Sequence, residues 1–234
     1  MGVKFMRPIS LKNSFLAFTL TAFASMTGGF LTACSNASQN QSQAPNATAA
    51  DVGDTHMQHG SSMKHGSGDL GPADANYDLR FIDAMTPHHQ GAVLMALEAQ
   101  QKSQRPQIKK LANDIIKAQN QEINQLQQWR KAWYAKASST PMAYNAQMGH
   151  MMAMSEEQMK GMMMNSDLGA ANAEFDLRFI NAMIPHHEGA VTMAQDALNK
   201  SKRPEIKQLS QNIVTSQQAE IDQMKQWRQS WYKK

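Results

Sequence analysis

A chain of 234 residues, 41% of them apolar, is long enough for one or two compact domains with a buried core. Its single cysteine excludes a disulfide framework and any all-cysteine zinc or iron–sulfur site. Three of the 23 basic residues, Lys4, Arg7 and Lys12, precede residue 34 in a stretch without acid, and the remaining 20 nearly balance 19 acidic ones, so the formal charge of +4 does not point to nucleic acid.

The first 33 residues have the order of a secretory signal: positive charges, an apolar stretch from Phe15 to Leu31, then small residues. Leu31-Thr32-Ala33-Cys34 resembles the lipobox of bacterial lipoproteins, which makes Cys34 the expected lipidation site. The expected location is the periplasm, lipid-anchored through Cys34. Cleavage after Ala22-Phe23-Ala24 would instead give a soluble exported protein. Gly28-Gly29 and the small residues argue against a transmembrane anchor, leaving the lipid as the expected membrane contact. Residues 34–73 have almost no large aliphatics and are expected to form a disordered tether. Within it, His56, Met57, His59, Met63 and His65 read either as a flexible metal-catching tail or as a biased polar linker.

Residues 77–134 realign onto 175–232 without a gap, DLRFIDAMTPHHQGAVLMA on DLRFINAMIPHHEGAVTMA and QQWRKAWY on KQWRQSWY. The duplication divides the chain into hairpin repeats at 74–134 and 173–234 and a methionine-rich bridge at 135–172. In each repeat, apolar spacing predicts one helix from near Asp74 to about Lys102. A second begins at Pro106 after the break at Ser103-Gln104-Arg105. So short a connection implies an antiparallel hairpin, and two hairpins can close an all-α four-helix bundle. Ser155 with Gln158 suggests a capped short helix in the bridge.

The signature is Met85, His88, His89 and Met95, repeated as Met183, His186, His187 and Met193. On a helix these four side chains fall within an arc of about 120° that overlaps the apolar stripe. Pro87 and Pro185 either kink the helix before the histidines or start a new helical segment. Folding the hairpin about residue 104 brings the histidine pair level with residues 119–120. There Gln119, Glu122, Gln217 and Glu220 interrupt the apolar stripe. Glu122 and Glu220 are candidates to hold the far imidazole nitrogen, or to act as ligands; ordinary interhelical hydrogen bonds are the alternative. Met224 replaces Leu126 of the first copy and gives the second site one more sulfur.

Thioether sulfur suits Cu(I) and is a poor donor for Mg, Ca or Zn. No Glu stands three residues before His88 or His186, as a di-iron bundle requires, and Cys-x-x-Cys-His is absent. Met148, His150, Met151, Met152 and Met154 in the bridge read as an auxiliary flexible copper-collecting segment, or as packing at the bundle end. No nucleophile constellation appears. Imidazole must be neutral to bind metal, so histidine-supported binding is expected to weaken as pH falls through ~6.5.

The run Phe-Ile-x-Ala-Met-x-Pro-His-His-x-Gly-Ala-Val, followed by Met-Ala, Gln-x-x-Glu-Ile and Trp-Arg, resembles a bacterial exported domain-of-unknown-function family. The resemblance implies a ferritin-like helical bundle that binds copper and serves copper resistance. It implies as ligands Met85, His88, His89, Met95, Met183, His186, His187 and Met193. The resulting expectation is a non-enzymatic binder that sequesters or transfers Cu(I), and also Cu(II) or Ag(I). Its partners would be copper ions and a copper exporter or another periplasmic copper protein. The alternatives are a ferritin-like redox enzyme and a periplasmic interaction module.

Overall fold

The computed structural model describes residues 70–234. The expected signal, Cys34 and the tether motif with His56, Met57, His59, Met63 and His65 lie outside the described residues. Two helical hairpins dominate: α1 (Tyr77–Lys102) with α2 (Pro106–Trp133), and α4 (Phe175–Lys200) with α5 (Pro204–Tyr232). Between them the bridge holds the antiparallel pair β1 (Met142–Asn145) and β2 (His150–Ala153), followed by α3 (Glu156–Met163). The two-stranded sheet departs from the all-α expectation. No helix among the described residues is long and apolar enough to cross a membrane.

Each hairpin turns on the same chemistry. Ser103 takes an extended conformation and its Oγ accepts from Arg105 N (3.1 Å), after which Pro106 opens α2. Ser201, Arg203 and Pro204 repeat this, also at 3.1 Å. Proline suits that position because its missing N–H would have no helical acceptor there. The first helix starts at Tyr77, later than the expected Asp74, because Asp74 is used in the turn: its Oδ1 accepts from Asn76 N and from Arg80 Nη1, both at 2.9 Å. Both α1 and α4 run unbroken through Pro87 and Pro185, so neither proline starts a new segment.

Two apolar cores form, and their membership fixes the packing. One joins the second half of α1 and first half of α2 (Met95, Ile108, Ile115) to the first half of α4 and end of α5 (Phe179, Met183, Met224). The other joins the first half of α1 (Tyr77, Phe81, Met85) to the second half of α4 and start of α5 (Met193, Ile206, Ile213). The helices α1 and α4 therefore run antiparallel along the contact between the repeats, and their midpoints lie where one core gives way to the other. Each repeat also clamps the other. Arg203 lies over the Trp133 ring (4.0 Å) and Arg105 over Trp231 (4.3 Å), so the hairpins close on each other within one chain.

The equivalence between the repeats extends to the residues before each hairpin. Arg80 Nε donates to Leu70 O, and Arg178 Nε to Leu168 O. Lys102 Nζ donates to Gly169 O, and Lys200 Nζ to Gly71 O, each reaching the segment that leads into the other repeat. The bridge breaks this symmetry by docking on the first repeat. Buried Asp83 accepts from Met142 N (2.8 Å) and from Arg130, whose Nη2 also donates to Ser138 O. The second repeat has exposed Asn181 at that position, bonded only to Arg228 among these groups. Ser155 and Gln158 form the expected capping box at the start of α3.

Candidate metal centre

At the midpoint of the α1–α4 contact, His88 and His186 face each other with ring centroids 4.0 Å apart and planes at 51°. His89 and His187 reach towards the second helix of their own hairpin. His187 Nε2 donates to Glu220 Oε2 at 2.6 Å, and His89 Nε2 lies 2.7 Å from Glu122 Oε2 without the alignment of a hydrogen bond. The hairpin register therefore brings both glutamates to the imidazoles. All four rings are buried.

The arrangement leaves lone pairs without partners. A carbonyl or a carboxylate can only accept, so His187 carries its proton on Nε2, and so does His186, which donates to Met163 O at 3.1 Å. Their Nδ1 atoms, Nδ1 of His89 and both nitrogens of His88 are buried and not hydrogen-bonded. Gln119 and Gln217, buried in the second helices, each leave Oε1 unpartnered as well. Buried polar atoms are almost always satisfied, so a series of orphans on these rings marks a place for an ion, a ligand or water. An imidazole held on one nitrogen by a carboxylate or carbonyl, with the other free, has the form of a metal ligand.

Electrostatics keeps His88 and His186 neutral. Burial, followed by the neighbouring His186, His89 and His187, holds His88 well below the usual imidazole range. His186 is pushed down to about 3, chiefly by burial and then by His187, against the opposing hydrogen bond to Met163. His88 and His186 are thereby held in their ligating form below the ~6.5 at which an ordinary imidazole takes up a proton.

The thioethers flank this layer. Met85 and Met193 are buried in one core, and Met95, Met183 and Met224 in the other. Among the described residues, no three His, Cys, Asp or Glu side chains are grouped to hold a metal ion. Of the bridge residues, Met148 and Met152 are exposed on the hairpin, and Met152 Sδ accepts from Asn145 Nδ2 at 3.5 Å. His150 and Met151 share β2 with Met152. Met154 departs from the flexible, metal-collecting expectation: it is buried in the core beside Tyr77 and Phe81, because docking of the hairpin carries it there.

The glycine after each histidine pair has a packing role that sequence reasoning missed. A Cβ on Gly91 would collide with the Met163 carbonyl. One on Gly189 would lie 3.2 Å from His88 Nε2 and 3.6 Å from Met164 Sδ. The end of α3 is thereby admitted to the histidine layer. The shared His-His-x-Gly of the two copies was the available signal.

The fold is shared with solved proteins. The chain is similar to CopM solved in a Cu(II)-bound form, with 44% identity, a TM-score of 0.53, and coverage of 66% of this chain and 97% of CopM. For the Cu(I)-bound form the identity is 40% and the TM-score 0.51, with the same coverage. Uncharacterized protein L153 of Acanthamoeba polyphaga mimivirus is 49% identical over 49 residues, which span 21% of this chain and 32% of that protein. Residues 78–228 match the family described as domain of unknown function DUF305, and the chain belongs to that family.

Proposed function

We propose that this protein is an exported, non-enzymatic copper-binding protein that sequesters or hands on Cu(I), with Cu(II) and Ag(I) as further cargo, in copper resistance. The observation that carries this reading is the layer of buried imidazoles with unpartnered nitrogens between two cores that contain buried thioethers. Neutral nitrogen and thioether donors fit a soft monovalent ion, for which Mg, Ca and Zn are poor substitutes. In this reading Met85, His88, His89, Met95, Met183, His186, His187, Met193 and Met224 supply the donors. Glu122 and Glu220 orient His89 and His187. The two hairpins act as a ferritin-like four-helix bundle around that layer. Support comes from similarity to CopM, whose structures were solved with Cu(I), Cu(II) and Ag bound. The lipobox at Leu31–Cys34 supports a lipid-anchored periplasmic location, where thioethers resist oxidation better than thiols.

The test is metal retention by the full chain through gel filtration under reducing conditions, with Cu(I) and Ag(I) counted by mass spectrometry. Wild type is expected to retain both ions. A variant with His88, His89, His186 and His187 all changed to alanine is expected to lose the bundle-bound fraction. Wild type eluting free of metal would remove the proposal. Oxygen consumption on adding Cu(I), abolished in that variant, would favour a redox enzyme instead.

A further inference from the structure

The bridge reaches the histidine layer through the end of α3, which touches both α1 and α4 there. Met163 O accepts from His186 Nε2 and sits against α1 at Gly91. The next residue, Met164, adopts the left-handed conformation (φ 45°), with its N–H bonded to Lys160 O at 3.2 Å. A non-glycine residue adopts that conformation at a cost, and it persists where the surroundings impose it. Here the turn delivers the Met164 side chain to Gly189 on α4. That glycine has no side chain to intervene, and both Met164 Sδ and His88 Nε2 approach the space its Cβ would fill. His88 differs from the other three paired histidines: no carboxylate or carbonyl holds either of its nitrogens, and it is only 2% exposed.

We propose that Met164 Sδ and His88 Nε2 form a donor pair for a soft monovalent ion, Cu(I) or Ag(I), which is completed when α3 docks. The inference rests on the copper reading and deepens it, because it assigns a ligand from the bridge, outside the duplicated signature. Both donors are neutral, so the pair suits a monovalent soft ion better than a hard divalent one. The end of α3 then has two functions. Its carbonyl fixes His186 with the proton on Nε2, and its final thioether closes the site at His88. The helix has no fully buried residue of its own, so its docking depends on these terminal contacts and on its packing against α1.

The experiment follows methionine methyl signals by NMR in the full chain, with isotope-labelled methyl groups and Ag(I) as the probe. The Met164 methyl is assigned in wild type through its proximity to the His88 ring, so the outcome does not depend on a variant folding. It is expected to shift with the first equivalents of Ag(I). In competition with a chromophoric Cu(I) chelator, Met164→Leu should weaken one site by roughly tenfold or more, as for loss of a group that supports a metal. Met159→Leu should leave that site unchanged, because the Met159 side chain packs against the apolar core that holds Tyr77 and Phe81. If Met164 stays unshifted while the methyls of Met85 or Met183 move, and Met164→Leu binds as wild type does, Met164 is a packing residue and the copper reading survives. If wild type binds neither Ag(I) nor Cu(I), both proposals fail.

Discussion

His88 and His186 meet across the α1–α4 contact, with centroids 4.0 Å apart and planes tilted by 51°, in a buried layer where neither ring readily takes a charge. Folding therefore lowers both affinities for protons. Between the unfolded imidazole value of ~6.5 and the folded value of about 3 for His186, the unfolded chain binds more protons than the folded one. The metal-free protein should accordingly hold its full stability above pH ~6.5 and lose it as pH falls below that value. Each histidine should contribute up to about 1.4 kcal/mol per pH unit. Urea midpoints measured from neutral to about pH 4 check this, and the paired variant His88→Leu with His186→Leu should flatten the profile. Copper bound through these rings should survive at about pH 5, where an ordinary exposed histidine site would release it.

His88 contributes function at a cost to the fold. Burial of an imidazole with neither nitrogen hydrogen-bonded opposes stability, and an apolar side chain of similar size removes that opposition. His88→Leu is expected to raise the stability of the metal-free protein by about 1 kcal/mol while weakening Cu(I) binding. Urea unfolding together with chelator competition separates the two effects. A loss of stability in this variant would mean that the ring is a packing element rather than a ligand held in reserve.

The two glutamates should differ in effect. Glu220 accepts a well-aligned bond from His187 at 2.6 Å, whereas Glu122 lies 2.7 Å from His89 without that alignment. Glu→Gln keeps the size of the side chain and removes the charge that makes the imidazole a stronger donor. Glu220→Gln should reduce Cu(I) affinity by roughly 10–100-fold, and Glu122→Gln by less. Chelator competition on the two variants gives the comparison directly.

Much of this architecture was legible in the sequence because duplication amplified weak signals. One His-His pair on an apolar face is ordinary, but two pairs at the same register, each opposite a glutamate, placed both histidines and both carboxylates correctly. Ser-x-Arg-Pro likewise located both hairpin turns. The bridge resisted the same treatment because it occurs once. Its methionines read as a uniform run, yet docking separates them into a core residue at Met154, exposed residues at Met148 and Met152, and Met164 at the histidine layer. The docking itself depends on Asp83, which an alignment shows only as a conservative difference from Asn181. Nor does a sequence reveal that the His-His-x-Gly glycines make room for backbone from a distant segment.

Two glycines near α3 should respond oppositely to alanine. Gly91 faces the Met163 carbonyl, so Gly91→Ala must displace the end of α3 and should cost about 1–3 kcal/mol. Gly161 lies within α3 with nothing within 4 Å of its Cβ position. Gly161→Ala should therefore stabilise that helix by roughly 0.5–1 kcal/mol through the lower entropy of the unfolded chain and the better helix propensity of alanine. Protection of α3 amides from hydrogen exchange should fall in the first variant and rise in the second.

Asp83 holds the bridge to the first repeat through two partners: the guanidinium of Arg130 and the backbone of Met142. Asp83→Asn reproduces the residue of the second repeat, but it puts an amide donor among groups that all donate. One of them must lose its acceptor in a site where Asp83 is only 2% exposed. The charge-assisted bonds there are each worth about 1.5–3 kcal/mol, and partial exposure of Arg130 brings the expected loss to about 2 kcal/mol. The loss should fall on docking of the bridge rather than on the hairpins, whose cores do not include Asp83. Limited proteolysis should therefore cut residues 135–153 sooner in Asp83→Asn, with the helical signal largely retained. The reciprocal change Asn181→Asp should alter stability by no more than about 0.5 kcal/mol, because Asn181 is exposed and its side chain bonds to the exposed end of Arg228. Equal protease sensitivity of Asp83→Asn and wild type would show that the hairpin is held by Tyr144 against Gly71 and Arg80 instead.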